Sequence, residues 1–150
     1  MRIGVYDSTL RDGAQAEGIS YSLEDKLLIA RRLDALGVDY IEGGWPNPTN
    51  PKDLAFFREA KKLALQAEVT AFGSTRRATN TPEEDETLAT LLRAETKSIA
   101  LFGKSWTLHV TEILRTSLEG NVQLIEDSVA YLTAHGREVV YDAEHFFDGY

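Results

Sequence analysis

Val38-Asp39-Tyr40-Ile41-Glu42, then a run of helical period opening at Asn50-Pro51 and reaching about Gln66, then Glu68-Val69-Thr70-Ala71-Phe72: this stretch decides the fold. Two short runs rich in β-branched and aromatic residues flank a longer amphipathic segment with proline at its first helical position. The unit is about 30 residues long, the length of a strand–helix–strand crossover between parallel strands.

The same rhythm extends both ways. Upstream, Arg2 to Asp7 reads as a first strand. A helix starts near Ser22, with Asp25 three residues on as a capping-box partner. Its positions Leu27, Ala30, Leu33 and Leu36 share a face, and Gly37 sits where a C-terminal cap belongs. The second strand leads into the loop Gly43-Gly44-Trp45-Pro46-Asn47-Pro48. Downstream, Thr81-Pro82-Glu83-Glu84 predicts a cap, an N1 proline and a reciprocating glutamate before a third helix. Ser98 to Phe102 reads as a fourth strand. Asn121 to His135 reads as a helix, with Val122, Ile125, Val129 and Leu132 on one face and Gly136 ending it. Arg137 to Glu144 is a fifth strand, with no helix expected after it.

Parallel strands alternating with helices leave two architectures, an open doubly wound sheet or a closed (β/α)₈ barrel. A barrel needs about 250 residues, so 150 residues form one unit, either an open five-stranded sheet or part of a barrel. The net charge of −8 argues against nucleic-acid or anionic-membrane partners, because no basic excess exists to displace counterions from phosphates. Arg76–Arg77 and Lys61–Lys62 are two local basic spots able to meet a small phosphorylated ligand. Cysteine is absent, which excludes disulfides, thiolate metal sites and a cysteine nucleophile. No apolar run approaches the roughly 20 residues of a membrane span, and no secretory signal precedes the first strand. A cytoplasmic enzyme is expected.

The chemistry-bearing residues collect after the strands. Asp7, Arg11 and Asp12 follow the first, Glu42 ends the second, and Ser74 to Arg77 follow the third. Lys104 and His109 follow the fourth, while Asp142 and Glu144 end the fifth. In parallel α/β folds the C-terminal strand ends make the active-site face. One such carboxylate is ordinarily a helix cap or a solvated loop residue; five loaded strand ends are a pattern. In the first loop, the adjacent side chains of Arg11 and Asp12 splay apart, so that one can reach an anionic substrate and the other a hard divalent cation. An Arg–Asp pair that merely knits a turn has the same spacing.

The opening stretch Asp7-Ser8-Thr9-Leu10-Arg11-Asp12-Gly13-Ala14-Gln15 resembles the signature of the DRE-TIM metallolyase superfamily. That group includes the citramalate, 2-isopropylmalate and homocitrate synthases, 3-hydroxy-3-methylglutaryl-CoA lyase and biotin-dependent carboxyltransferases. Tyr40 to Pro46, Phe72 to Arg77, Phe102 to Trp106 and Tyr141 to Tyr150 resemble its bacterial citramalate synthase branch. The resemblance implies the N-terminal part of a TIM barrel, about four βα units plus a fifth strand, in which acetyl-CoA condenses with pyruvate for isoleucine synthesis. It implies Asp12 as a metal ligand, Arg11 against the 2-oxo acid, and Gln15 on the substrate side of the loop. By the same resemblance Glu42 is expected to support the site and Glu144 to take a proton from the acetyl methyl group, and His109 and Arg76 are substrate-binding candidates. The cofactor implied is a divalent metal (Mg, Mn or Zn), and the full-length partner a second copy in a homodimer. Alternatives are the 2-isopropylmalate or homocitrate reaction, a related lyase or aldolase, or a non-enzymatic assembly module with exposed sheet edges.

The superfamily completes its metal site with a His-x-His pair, and among His109, His135 and His145 no two are so spaced. The remaining ligands are therefore expected outside this chain. Alone it is expected to be inactive, as a piece of a longer protein lacking the rest of the barrel and a C-terminal regulatory region.

Overall fold

The computed structural model describes residues 3–47 and 49–150. Strands β1 (Tyr6–Asp7), β2 (Tyr40–Gly44), β3 (Glu68–Ser74), β4 (Ser98–Lys104) and β5 (Glu138–Glu144) form one parallel sheet in the order β1-β2-β3-β4-β5. A doubly wound sheet reverses its winding at a switch point. Here every crossover adds the next strand on the same side, which is how a barrel is wound. The sheet is also curled. Tyr40 on β2 donates its hydroxyl to Glu138 Oε1 on β5 at 3.0 Å, although three strand spacings in a flat sheet come to about 14 Å. The chain therefore folds as the N-terminal part of a (β/α)₈ barrel.

Helices α1 (Leu23–Leu36), α2 (Pro51–Ala60), α3 (Glu86–Arg93) and α4 (Leu118–Ala134) connect the strands. Side chains alternate along each strand. Ile41, Ala71, Ile99 and Leu101 are fully buried in one core with Phe56, Phe57, Leu88, Leu91 and Leu132 of the helices. Gly43 belongs to this layer, and a Cβ there would stand 2.5 Å from the Phe56 ring. Glycine at that position lets α2 lie directly on the sheet. The opposite parity (Tyr40, Glu42, Thr70, Phe72, Phe102, Asp142, Glu144) turns to the concave face and carries the polar residues.

The start of α1 follows the expected chemistry. Ser22 Oγ accepts from Asp25 N at 3.0 Å while Asp25 Oδ2 accepts from Ser22 N at 2.9 Å, and Gly37 closes the helix at φ 87°. Leu36, expected on the buried face, is 78% exposed because that face is centred on Ala30.

Other boundaries differ from expectation. The first strand is only Tyr6–Asp7, and Arg2, its expected start, lies outside the described residues, as does Pro48 of the following loop. β2 runs on through Gly43-Gly44 across a register shift. α2 stops at Ala60 and passes through a 3₁₀ turn (Lys61–Leu63) to Ala64 at φ 50°, short of Gln66. Thr81-Pro82-Glu83-Glu84 does not cap α3; Pro82–Glu84 is a separate 3₁₀ turn. The cap is Asp85, whose carboxylate accepts from the N–H groups of Thr87 and Leu88. α4 begins at Leu118, capped by Ser117, rather than at Asn121. Also not expected were a 3₁₀ turn at Gly13–Gln15, a π-helical turn, His109–Leu114, and α5 (Phe146–Gly149) after β5. Among the described residues no helix is long and apolar enough to cross a membrane.

Candidate active site

The turn after β1 is built on one carbonyl. Ser8 O accepts from the N–H groups of Arg11, Asp12 and Gly13 at 3.1, 2.9 and 3.2 Å, and Asp7 Oδ1 caps Thr9 N at 2.9 Å. Asp7 is thus spent on the turn. Leu10, 1% exposed, pins the turn to the core, so the neighbouring Arg11 side chain leaves the turn over the concave face.

Arg11 is held on three sides. Its Nε donates to Glu42 Oε1, its guanidinium carbon lies 3.8 Å from the centre of the Phe72 ring, and its Nη1 donates to Asp12 Oδ1 at 3.0 Å, so these adjacent side chains, expected to splay apart, instead meet. A planar cation stacked on an aromatic face with a carboxylate at its edge is fixed in position as well as in charge. Glu42 is buried, and its second oxygen accepts from Tyr6 Oη at 2.5 Å. Burial, and then this bond to the Glu42 carboxylate, pushes the Tyr6 hydroxyl far above the usual tyrosine range. Both oxygens of Glu42 are thus engaged, one of them by Arg11.

Across the mouth, β4 and β5 end in register, Lys104 beside Glu144, and the two side chains pair. Asn121 Nδ2 donates to Lys104 O at 2.8 Å, and Ser105 N donates to Glu144 O at 3.2 Å, so both strand ends are tied down. Between the two walls lies a recess of about 440 Å³ lined by Arg11, Asp12, Gln15, Trp45, Phe72, Phe102, Asp142 and Glu144. Phe72 and Phe102 stack 5.2 Å apart, and Trp45 meets both edge-on. The recess thus has a fixed cation and carboxylates on its rim and an aromatic floor.

Of the seven residues expected at the site, Arg11, Asp12, Gln15 and Glu144 line the recess and Glu42 stands behind Arg11. Two lie elsewhere. Arg76 turns toward α4, where Nη2 meets Asp127 Oδ2 at 2.6 Å and Nη1 donates to Asn80 O at 2.8 Å. The Arg76 guanidinium is occupied in tying the β3–α3 connection to α4. Hydrogen bonds from Gln123 and then Arg76 hold Asp127 below the usual carboxylate range. His109 packs against Trp106 and His145, with ring centres 4.8 and 4.6 Å away, and is not part of the recess lining. The residues that sequence reasoning missed are Tyr6, Trp45, Phe72 and Phe102. Strand parity would have revealed two of them, since Phe72 and Phe102 lie two residues before Ser74 and Lys104.

Although Asp12, Asp142 and Glu144 all line the recess, no three His, Asp or Glu side chains among the described residues converge closely enough to hold a metal ion. Hard divalent cations take about six oxygen ligands. The described residues therefore fit such a cation only in part.

The HMGL-like family model matches residues 2–149. The chain belongs to the HMGL-like family. Among curated family relatives it is 58% identical over 149 residues to the (R)-citramalate synthase of Geobacter sulfurreducens, covering 99% of this chain and 28% of that protein. It is 36% identical over 143 residues to the 2-isopropylmalate synthase of Saccharolobus solfataricus, covering 95% of this chain and 35% of that one. The crystal structure of HMG-CoA lyase from Bacillus subtilis superposes with a TM-score of 0.71 at 14% identity, covering 93% of this chain and 45% of that chain. That likeness speaks for the fold. The chain thus spans less than a third of the length of its citramalate synthase relatives.

Proposed function

We propose that this chain supplies one wall of the active site of a citramalate synthase, which condenses acetyl-CoA with pyruvate to (R)-citramalate and coenzyme A. The supporting observation is Arg11, a guanidinium fixed by Glu42 and Phe72 at a recess whose far rim carries Glu144. A Claisen-type condensation needs a base for the weakly acidic acetyl methyl group and a fixed positive charge where the ketone oxygen becomes an alkoxide. In this reading Glu144 takes the methyl proton, with Lys104 orienting its carboxylate. A positioned base contributes about 10²–10⁴-fold. The enolate carbon attacks C2 of the oxo acid, and the C2 oxygen takes up the electron pair beside Arg11. Removing one preorganised donor of this kind costs about 10²–10³ in kcat. Water then cleaves the thioester and releases coenzyme A. Gln15 borders the substrate, and Asp12 is proposed as one oxygen ligand of a divalent cation whose other ligands lie beyond the described residues. The active species is proposed to be a homodimer of a protein as long as the curated relatives, with this chain as the N-terminal half of its barrel.

The test is coenzyme A release by the full-length protein from acetyl-CoA with pyruvate, 2-oxoisovalerate or 2-oxoglutarate. Pyruvate-selective release is expected. Release selective for 2-oxoisovalerate moves the assignment to a 2-isopropylmalate synthase, and no release with any of the three removes the synthase reading.

A further inference from the structure

The β2–α2 loop is organised around one nearly buried carboxylate. Asp53 is 7% exposed. Its Oδ1 accepts from Lys26 Nζ at 2.5 Å, and its Oδ2 accepts from Trp45 N at 2.9 Å and Asn50 Nδ2 at 2.8 Å. Lys26 is itself 3% exposed, with its ammonium 5.2 Å from the centre of the Phe56 ring. Gly44 passes so close that a Cβ would stand 2.5 Å from the Asp53 carboxyl carbon, at a φ of 144°. The register shift between Glu42 and Gly44 turns the chain at the same point.

A buried ion pair is a costly way to fill a core, since an apolar pair of the same volume is often as stable or more so. What this pair holds in place is the peptide N–H of Trp45. The Trp45 indole lies edge-on to Phe72 at 5.7 Å and Phe102 at 5.5 Å and lines the recess shared by Arg11 and Glu144. In the synthase reading the polar end of the oxo acid lies at Arg11, which leaves the aromatic lining of Trp45, Phe72 and Phe102 for its apolar substituent. Of the three, only Trp45 is carried on a loop; the phenylalanines are fixed by their strands.

We propose that Asp53, seated by Lys26, is a positioning residue that sets Trp45 as the wall limiting the size of the oxo-acid substituent. The inference rests on the synthase reading and adds to it the means by which a methyl group is accepted and a larger one refused. One extra methylene in an apolar pocket is worth about 10–200-fold in kcat/KM, so one well-placed indole suffices.

The experiment measures kcat/KM for pyruvate, 2-oxobutyrate and 2-oxoisovalerate in the full-length enzyme and three variants. Trp45→Leu is expected to raise the 2-oxobutyrate-to-pyruvate ratio by about tenfold or more. The double substitution Lys26→Met with Asp53→Leu removes the acceptor for Trp45 N without leaving a buried charge, and is expected to shift the ratio the same way. Lys26→Met with Asp53→Asn keeps an acceptor oxygen and is expected to retain the parental ratio, which a loss of mere packing or charge would not do. A parental ratio in Trp45→Leu, or in the double variant carrying Asp53→Leu, overturns the inference while the synthase reading stands. If the protein carrying Asp53→Leu does not fold, Trp45→Leu and the double variant carrying Asp53→Asn decide the matter. A shifted ratio in the variant carrying Asp53→Asn overturns the positioning role. A parent that releases coenzyme A with no oxo acid overturns both the reading and the inference.

Discussion

Arg11 owes its place to the neighbours that hold it. Phe72 supplies a face, Glu42 an edge, and Tyr6 fills the second oxygen of Glu42. Lysine has neither the plane to stack nor the fork to share between carboxylates. Arg11→Lys in the full-length enzyme is therefore expected to lower kcat by about 10²–10³, with the melting temperature nearly unchanged. A variant with parental kcat would show that Arg11 does not meet the developing charge. A second prediction concerns alkaline stability. Burial and the Glu42 bond raise the Tyr6 hydroxyl, and its bond to Glu138 raises Tyr40, above the ordinary value of 10.0. Between pH 10 and their raised values the unfolded chain has lost these protons while the folded chain keeps them. The unfolded state then binds fewer protons, and stability falls as pH rises. Thermal melts from pH 8 to 11 should show this decline setting in near pH 10, and Tyr6→Phe should make it shallower. An equal slope in that variant would place Tyr6's titration at its ordinary position. The Arg11 neighbourhood was only half legible in sequence. Arg11, Asp12 and Glu42 stood out as charged residues at strand ends and were assigned to the site by the family resemblance, whereas Tyr6 and Phe72 look like ordinary strand residues until the curl of the sheet brings them together.

Elements were legible where a local signal is sufficient. Ser22 and Asp25 satisfy each other within one turn, and Gly37 has a φ that suits glycine, so α1 could be placed from its ends alone. The third helix shows the limit. Thr81-Pro82-Glu83-Glu84 has capping-box chemistry, yet Asp85 wins because its buried carboxylate accepts from Thr87, Leu88, Arg77 N and Asn80 Nδ2 together. Two of those partners are upstream of the whole motif. The two caps should differ in worth. Ser22→Ala is expected to cost about 1 kcal/mol, the usual value of an exposed cap. Asp85→Ala is expected to cost about 2 kcal/mol or more, because it also strands buried donors. Urea unfolding of both variants checks the order, and equal costs would mean that the added partners of Asp85 contribute nothing. The π-helical turn at His109–Leu114 left no trace in the hydrophobic period, since its spacing matches neither helix nor strand.

At the scale of the molecule, strand count follows from alternation, but strand order and curvature do not. Nothing in a list of strands distinguishes a flat sheet from a curled one; the contact between Tyr40 and Glu138 does. In the described residues β1 pairs only with β2, and β5 only with β4. Unpaired strand edges template further pairing, so this chain in isolation is expected to sediment with an average mass that rises with concentration; a sharp monomer at all concentrations would show the edges to be protected. The same incompleteness governs metal and activity. With no cluster of three metal-capable side chains among the described residues, the isolated chain has too few ligands to gain from a divalent ion that wants about six. A ligand stabilises a fold appreciably only when its concentration exceeds its dissociation constant, so adding millimolar Mg²⁺ or Mn²⁺ should leave the melting temperature unchanged. Coenzyme A release by the isolated chain should likewise be absent beside that of the full-length protein. A metal-dependent rise in melting temperature, or any turnover, would mean that the recess around Arg11 already holds the ligands this reading assigns elsewhere.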